Sequence, residues 1–225
     1  MKILLTGGSG LLGTELTSLN EAIIAPNHND LEVLDYFSCD RAIIKHKPDI
    51  VIHAAALTSP PRCEELPRSA RSVNIIGTVN LVNICQDNNI RLVYISTDYV
   101  FAGDEGLYQE GDPINPINLY AKTKAAGELA VRTYDNSLVI RTSFCENEFP
   151  YEKAFVDQFT SRDYVDVIAP MILKQAESDL TGIVHVGTER KSVFELAVKR
   201  RPEVGELSIR DVSFDPPRDT SFYKE

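Results

Sequence analysis

The chain has 225 residues, enough to bury a sizeable core in one large domain or in one domain with a small appendage. Its 23 Lys and Arg against 33 Asp and Glu give a formal charge of -10, which argues against a general nucleic-acid binder, because such proteins neutralise phosphates with a cationic surface. The four cysteines lack metal-type or redox-type spacing, no charged-then-apolar leader precedes the first strand, and no apolar run reaches the roughly 20 residues a bilayer requires; the expectation is a cytoplasmic protein with reduced thiols, no metal site and no membrane partner.

Met1 to Thr6 is short and apolar, ends in Gly7-Gly8-Ser9-Gly10, and leads into Leu11-Leu12-Gly13-Thr14-Glu15-Leu16 with helical periodicity. That order predicts strand, tight turn and helix. Gly7, Gly10 and Gly13 have the spacing Gly-x-x-Gly-x-x-Gly. Glycines there permit the turn, let a pyrophosphate approach the backbone and allow the helix to pack on the strand, with the helix N-terminus facing the negative charge. The segment predicts a nucleotide site. The next apolar run, Glu21 to Ala25, ends in Pro26-Asn27-His28 with no carboxylate before Asp30, although an NAD-binding fold places an acidic residue there for the adenine ribose. That leaves room for a 2′-phosphate without an Arg or Lys to hold it, and the reading leans to NADP(H) over NAD(H).

Apolar runs at Asp49 to Ala54, Ile90 to Ser96 and Ser137 to Arg141 alternate with helical stretches near Ser38 to Lys47, Leu66 to Asn88 and Asn118 to Thr133. Alternation of this kind predicts a doubly wound parallel sheet, the Rossmann class of α/β fold. His53 at a strand end reads as a structural hydrogen-bonder. The small Ala54, Ala55 and Ala56 behind it would let a cofactor lie close over the strand ends, where ligands of open α/β sheets bind. Ser96-Thr97-Asp98-Tyr99-Val100-Phe101 follows the next strand, so Thr97 could donate to a substrate carbonyl. A plain strand-end turn capped by Ser, Thr and Asp would have the same sequence.

Further on, the phenol of Tyr120 and the ammonium of Lys124 stand four residues apart, one helical turn. The cation would stabilise the phenolate and lower the phenol pKa from about 10, suiting Tyr120 to exchange a proton with a substrate oxygen. The spacing also arises on solvated helix faces, so its weight comes from the glycine loop and the Thr97 segment. After Arg141 the pattern loosens. Glu146 to Ser161 is polar and weakly periodic, Asp163 to Ala176 predicts a helix, Gly182 to Val186 a strand, and Ser192 to Arg200 a helix opened by a serine cap. With the tail Asp215-Pro216-Pro217-Arg218-Asp219, this gives a dinucleotide-binding unit over 1–142 and a small, intertwined substrate lobe over 143–225.

With these motifs in this order, the chain resembles an extended short-chain dehydrogenase/reductase, specifically the dTDP-4-dehydrorhamnose reductase family, from Lys2 to about Thr142. The segments that carry the resemblance are Ser96 to Gly103, Tyr108 to Tyr120, Gly127-Glu128 and Val73 to Leu81. It implies hydride delivery from NADPH or NADH to the C4 ketone of a nucleotide-linked 4-keto-6-deoxysugar. Tyr120 would supply the proton, Lys124 would bind the nicotinamide ribose and depress the Tyr120 pKa, and Thr97 would orient the ketone. It also implies Gly7, Gly10, Leu11, Leu12 and Gly13 at the pyrophosphate, Asp35 and Tyr36 on the adenine side, and Ala54, Ala55, Ala56, Thr58 and Asn74 along the cofactor. Asp98, Tyr99, Phe144 and Arg218 would face the sugar, and two copies could pair into a homodimer through the helices after strands four and five, as relatives often do. Phe144 stands where the family usually has a tryptophan, and the tail is shorter than in typical members, so the substrate lobe is abbreviated. A cofactor-binding regulatory partner protein of the same fold is the second reading.

Overall fold

The structure, a computed structural model, describes residues 1–214 and 216–224; Asp215 of the expected C-terminal segment and Glu225 lie outside the described residues. The first half alternates as the periodicity predicts: β1 (Ile3–Thr6), α1 (Leu11–Leu19), β2 (Ile23–Ile24), α2 (Tyr36–His46) and β3 (Ile50–His53). It continues through α3 (Pro60–Glu65), α4 (Pro67–Arg71), a π-helical turn (Ser72–Gly77), α5 (Thr78–Asp87), β4 (Arg91–Ile95), α6 (Leu119–Val131) and β5 (Ser137–Thr142). The second half holds β6 (Phe144–Cys145), β7 (Lys153–Phe155), β8 (Phe159–Thr160), β9 (Asp163–Tyr164), α7 (Val165–Ala176), β10 (Gly182–Val186), β11 (Lys191–Ser192), α8 (Val193–Val198) and β12 (Gly205–Leu207).

Among the described residues six strands form one parallel sheet in the order β10-β5-β4-β3-β1-β2. Its central strands read as continuous apolar runs because both faces are covered. On one face α1 and α7 bring Leu12, Leu16, Val165, Ile168 and Ile172 against Ile3, Leu5, Ile52 and Ile140. On the other, α2 and α5 bring Ala42, Ile43, Leu81 and Ile84 against Leu4, Val51, Leu92 and Val139. The chain leaves β1 in one direction to reach β2 and returns across it to β3, so the order reverses between β1 and β3. Ligands of such sheets bind outside the carboxyl ends of the strands at that reversal.

One expected element differs: the predicted strand over 21–25 shortens to β2, an edge strand of two residues. The helix expected over 66–88 runs without a gap from Pro67 to Asp87, with a π-helical turn over Ser72–Gly77 between α4 and α5 and αR backbone at both joins. β10 and α7 join the main sheet and its cover, whereas the short pairs β7·β12 and β8·β11 with α8 make a lobe around Phe149, Ala154, Val193, Ala197 and Val204. The serine cap predicted for α8 is Ser192, in a capping box with Glu195. The chain's last segment docks on the loop after β4: the amides of Arg218 and Asp219 both donate to Gly103 O at 2.8 Å, and Tyr108 N donates to Ser221 O at 2.9 Å. Among the described residues no helix is long and apolar enough to cross a membrane.

Candidate active site

A cleft of about 420 Å³ opens at the β1/β3 reversal, lined among others by Gly7, Ser9, Ala25, His28, Leu31 and Ala55. Gly7 has φ 76, and a Cβ there would lie 2.7 Å from Ala55 N; a Cβ on Gly13 would collide with the Gly7 carbonyl. The turn therefore packs directly on the segment after β3 and presents the N-terminus of α1, with Gly10 at its cap, to the cleft. These are the conditions that let a pyrophosphate approach backbone amides, and the residues present fit a dinucleotide. Leu11 is exposed beside the turn, while the Leu12 side chain is buried in the core, so only its backbone is available to a ligand. Ala54 N donates to Thr6 O and Ala55 N to Thr6 Oγ1, both at 3.3 Å; Ala56 follows half-buried and Thr58 exposed.

The expected adenine-side residues Asp35 and Tyr36 stand at the start of α2 and are not among the residues lining the cleft. Asp35 caps α2, accepting from Phe37 N at 3.0 Å, and the Tyr36 hydroxyl reaches Asp87 at 3.5 Å; Leu31 and Val33 line the cleft instead. Asn74 likewise does not face a ligand. It is 1% exposed, its Oδ1 accepts from Leu57 N at 2.8 Å, and its Nδ2 donates to Leu57 O at 3.1 Å and Thr123 Oγ1 at 2.9 Å. With its amide fully engaged, Asn74 clamps the loop after β3 to α6.

His53 is structural, as expected. Thr78 Oγ1 donates to Asn74 O at 2.8 Å, so His53 Nε2 must donate to Thr78 Oγ1 at 3.0 Å, leaving Nδ1 to accept from Thr6 Oγ1 at 2.8 Å. Burial, with Lys124 nearby, lowers the imidazole to about 3, so it stays neutral.

Tyr120 opens the first turn of α6, whose cap Asn118 accepts from Ala121 N at 2.9 Å. Thr97, 6% exposed, ends the chain's exit from β4 and accepts from Tyr99 N at 3.2 Å. Their side chains meet. Burial raises the Tyr120 phenol above its usual value, and the hydrogen bond with Thr97 partly offsets this. Lys124 does not lower it. Its Nζ donates to Ile95 O at 2.7 Å and lies 4.0 Å from the centroid of the Tyr94 ring, and burial takes the ammonium down to about 7. Both residues lie on α6, but the Lys124 ammonium is bonded to a strand-end carbonyl rather than to the phenol.

On the other side of Tyr120, Tyr99 stands with ring centroids 6.4 Å apart. Asp98 is 2% exposed and is occupied by the protein: Oδ1 accepts from Thr97 Oγ1 at 3.2 Å and Oδ2 from Thr220 Oγ1 at 2.7 Å. Burial pushes its carboxyl up, while Arg162 and its hydroxyl partners pull it down. Phe144 packs against the main core and Arg218 is exposed, neither of them lining the recess bounded by Tyr99, Arg162 and Thr220. Arg162 escapes a sequence reading because it stands at the junction between the polar, weakly periodic 146–161 stretch and the helix expected over 163–176. Only the fold brings β9 and its preceding turn beside Tyr99.

The RmlD substrate binding domain model matches residues 1–170. The chain belongs to that family. The matched stretch holds the glycine turn, Thr97, Tyr120, Lys124 and Arg162, and ends within α7. A dTDP-4-keto-6-deoxy-D-glucose reductase of Streptomyces niveus is 37% identical over 148 residues, 63% of this chain and 51% of its own length. The chain thus spans about half the length of that RmlD-type relative. Methionine adenosyltransferase 2 subunit beta of Xenopus tropicalis is 28% identical over 232 aligned positions, 87% of this chain and 70% of its own. The crystal structure of dTDP-4-dehydrorhamnose reductase from Bacillus anthracis str. Ames in complex with NADP superposes with a TM-score of 0.89 at 29% identity, covering 99% of this chain and 90% of that one. The Rossmann-type sheet of this RmlD-family chain agrees with that neighbour.

Proposed function

We propose that the protein is an NAD(P)H-dependent reductase of the short-chain dehydrogenase type, acting on a nucleotide-linked 4-keto-6-deoxysugar, with NADP(H) as the preferred dinucleotide. The observation that carries this reading is the meeting of the Thr97 and Tyr120 side chains at the sheet edge that also bears the glycine turn. A reduced nicotinamide dinucleotide held by the Gly7 to Gly13 turn and the Ala54 to Thr58 segment supplies a hydride when bound. Tyr120 donates its proton to the carbonyl oxygen as the C=O bond becomes C–OH. The phenol is protonated through the neutral range, so the donor form is present, and burial makes it a weaker acid than a free tyrosine. Thr97 aligns the phenol, and Lys124 fastens α6 to β4 through Ile95 O. The substrate lobe is formed by the β7·β12 and β8·β11 pairs with α8, while α7 and β10 of the same stretch complete the main sheet and its cover. Exposed Ile76, Val79 and Leu129, on the π-helical turn, α5 and α6, support pairing of two copies, and the buried free thiols of Cys39, Cys63 and Cys85 suit a cytoplasmic setting.

The likeness to a methionine adenosyltransferase beta subunit over 87% of the chain supports a second reading, a dinucleotide-binding partner protein. A pure binder has no chemical need for Thr97, Tyr120 and Lys124 together, and the reductase is preferred. Mixing the protein with NADPH and a dTDP-4-keto-6-deoxysugar and following the dinucleotide's absorbance decides between them. Turnover supports the reductase; tight NADPH binding without turnover, together with a stable complex with a second protein, replaces it by the partner reading.

A further inference from the structure

Arg162 occupies the turn between β8 and β9, between two residues, Ser161 and Asp163, that are 2% and 5% exposed. Its own side chain is only partly buried and lines the recess beside Tyr99, Phe159 and Thr220. The guanidinium is anchored rather than free to swing: Nε donates to Ser143 Oγ at 2.9 Å, and the Ser143 hydroxyl in turn bonds Asp98. Tyr99 is its other hydrogen-bond partner. A guanidinium carries five N–H donors in a planar fork, so two protein partners leave donors for a ligand.

Arg162 pulls the buried Asp98 carboxyl down against the rise that burial causes, so part of the guanidinium's charge is offset within the protein and its remaining donors can serve a neutral oxygen. The nearest reacting group is Tyr120, one aromatic contact away through Tyr99. A ligand whose carbonyl sits at Thr97 and Tyr120 therefore brings its adjacent ring substituents toward Arg162.

We propose that Arg162 is a specificity-determining residue whose guanidinium donates to a neutral oxygen substituent of the sugar ring, next to the carbonyl that Tyr120 protonates. The inference rests on the reductase reading and names the part of the substrate that this side chain recognises. A residue that only braced Asp98 and Thr97 would act on the chemical step, whereas one that holds the sugar acts on its binding.

The test compares wild type with Arg162→Met and Arg162→Lys, after thermal melting has shown that each folds. Steady-state kinetics with a dTDP-4-keto-6-deoxysugar are expected to show KM raised about 10- to 100-fold in Arg162→Met, the scale of a hydrogen bond from a charged donor, with kcat little changed and partial recovery in Arg162→Lys. Calorimetric titration with dTDP alone and with NADPH should give unchanged affinities. A fall in kcat at constant KM, or an equal loss of dTDP affinity, overturns the proposal, the first by making Arg162 a brace and the second by moving it to the diphosphate. If wild type does not turn over, the reductase reading fails, and calorimetry with the ketosugar nucleotide still judges Arg162: weaker binding than wild type supports the assignment, and equal or absent binding overturns it.

Discussion

Glu128 and Arg141 form a two-pronged ion pair, Arg141 Nη2 to Glu128 Oε1 at 2.6 Å and Nε to Oε2 at 3.2 Å, with side-chain exposures of 0% and 1%. The pair joins α6 to β5, and Ser96 at the end of β4 adds a bond to Oε2 at 3.0 Å. Together with Lys124 on Ile95 O, it fixes the helix that carries Tyr120 to the strand edge that carries Thr97. Removing one partner from a buried pair strands the other charge, so Glu128→Ala is expected to lose about 3–5 kcal/mol of unfolding free energy in urea titration. A loss below about 1 kcal/mol, the range of exposed pairs, would show that α6 is held by something else.

Tyr120→Phe removes the proton donor without removing ring volume. We expect kcat to fall about 10²-fold or more, the scale for a positioned general acid, with the affinity for NADPH unchanged. Because burial raises the phenol pKa, the wild-type enzyme should not lose its donor form anywhere in the neutral range. Retained turnover in Tyr120→Phe would assign the proton to another group.

The sheet was legible because its signal is local: apolar runs of strand length, the glycine turn at a strand end, and a serine before α8 each carry their own physics. The Tyr120–Lys124 spacing was legible for the same reason. The direction of Lys124 was not, since its partner Ile95 O lies on another element and a backbone carbonyl leaves no mark in sequence. Asn74 and Asp98 look like exposed polar candidates in the linear chain, yet the fold buries them and uses their hydrogen-bonding atoms internally. Arg162 and Thr220 reach the site from 64 and 122 residues beyond Asp98, and only the packing of the last segment between the 103–108 loop and β8 makes them neighbours.

Lys124 gives a pH-dependent stability difference. Its pKa is lowered from 10.5 to about 7 by burial, so between those values the unfolded chain binds a proton that the folded chain does not. Stability from this group therefore rises with pH across that window, and its penalty is fully present at and below the folded value. Lys124→Met removes the penalty along with the bond to Ile95 O. Measured against wild type at each pH, its relative stability is expected to be greatest near neutrality and below, and to decline steadily as pH climbs toward 10.5. A difference that is flat with pH would mean the ammonium is not desolvated.

Asn74 connects the two halves of the site more directly than any residue that faces a ligand. Its side chain holds Leu57 N and Leu57 O, fixing the loop after β3, and Thr123 Oγ1, which itself donates to Tyr120 O at 2.8 Å. Asn74→Leu keeps comparable bulk but leaves buried polar groups without partners, each at a cost of about 1–3 kcal/mol. Because the Leu57 loop borders the dinucleotide cleft through Ala55, the loosened segment should raise the NADPH dissociation constant, on the order of 10-fold, as well as lower the melting temperature. Asn74→Asp keeps the acceptor for Leu57 N and loses both Nδ2 bonds, so it should fall between wild type and Asn74→Leu in both measurements. Fluorescence titration of NADPH against the three proteins tests this order; if Asn74→Leu melts early but binds NADPH as wild type does, the clamp serves the fold alone.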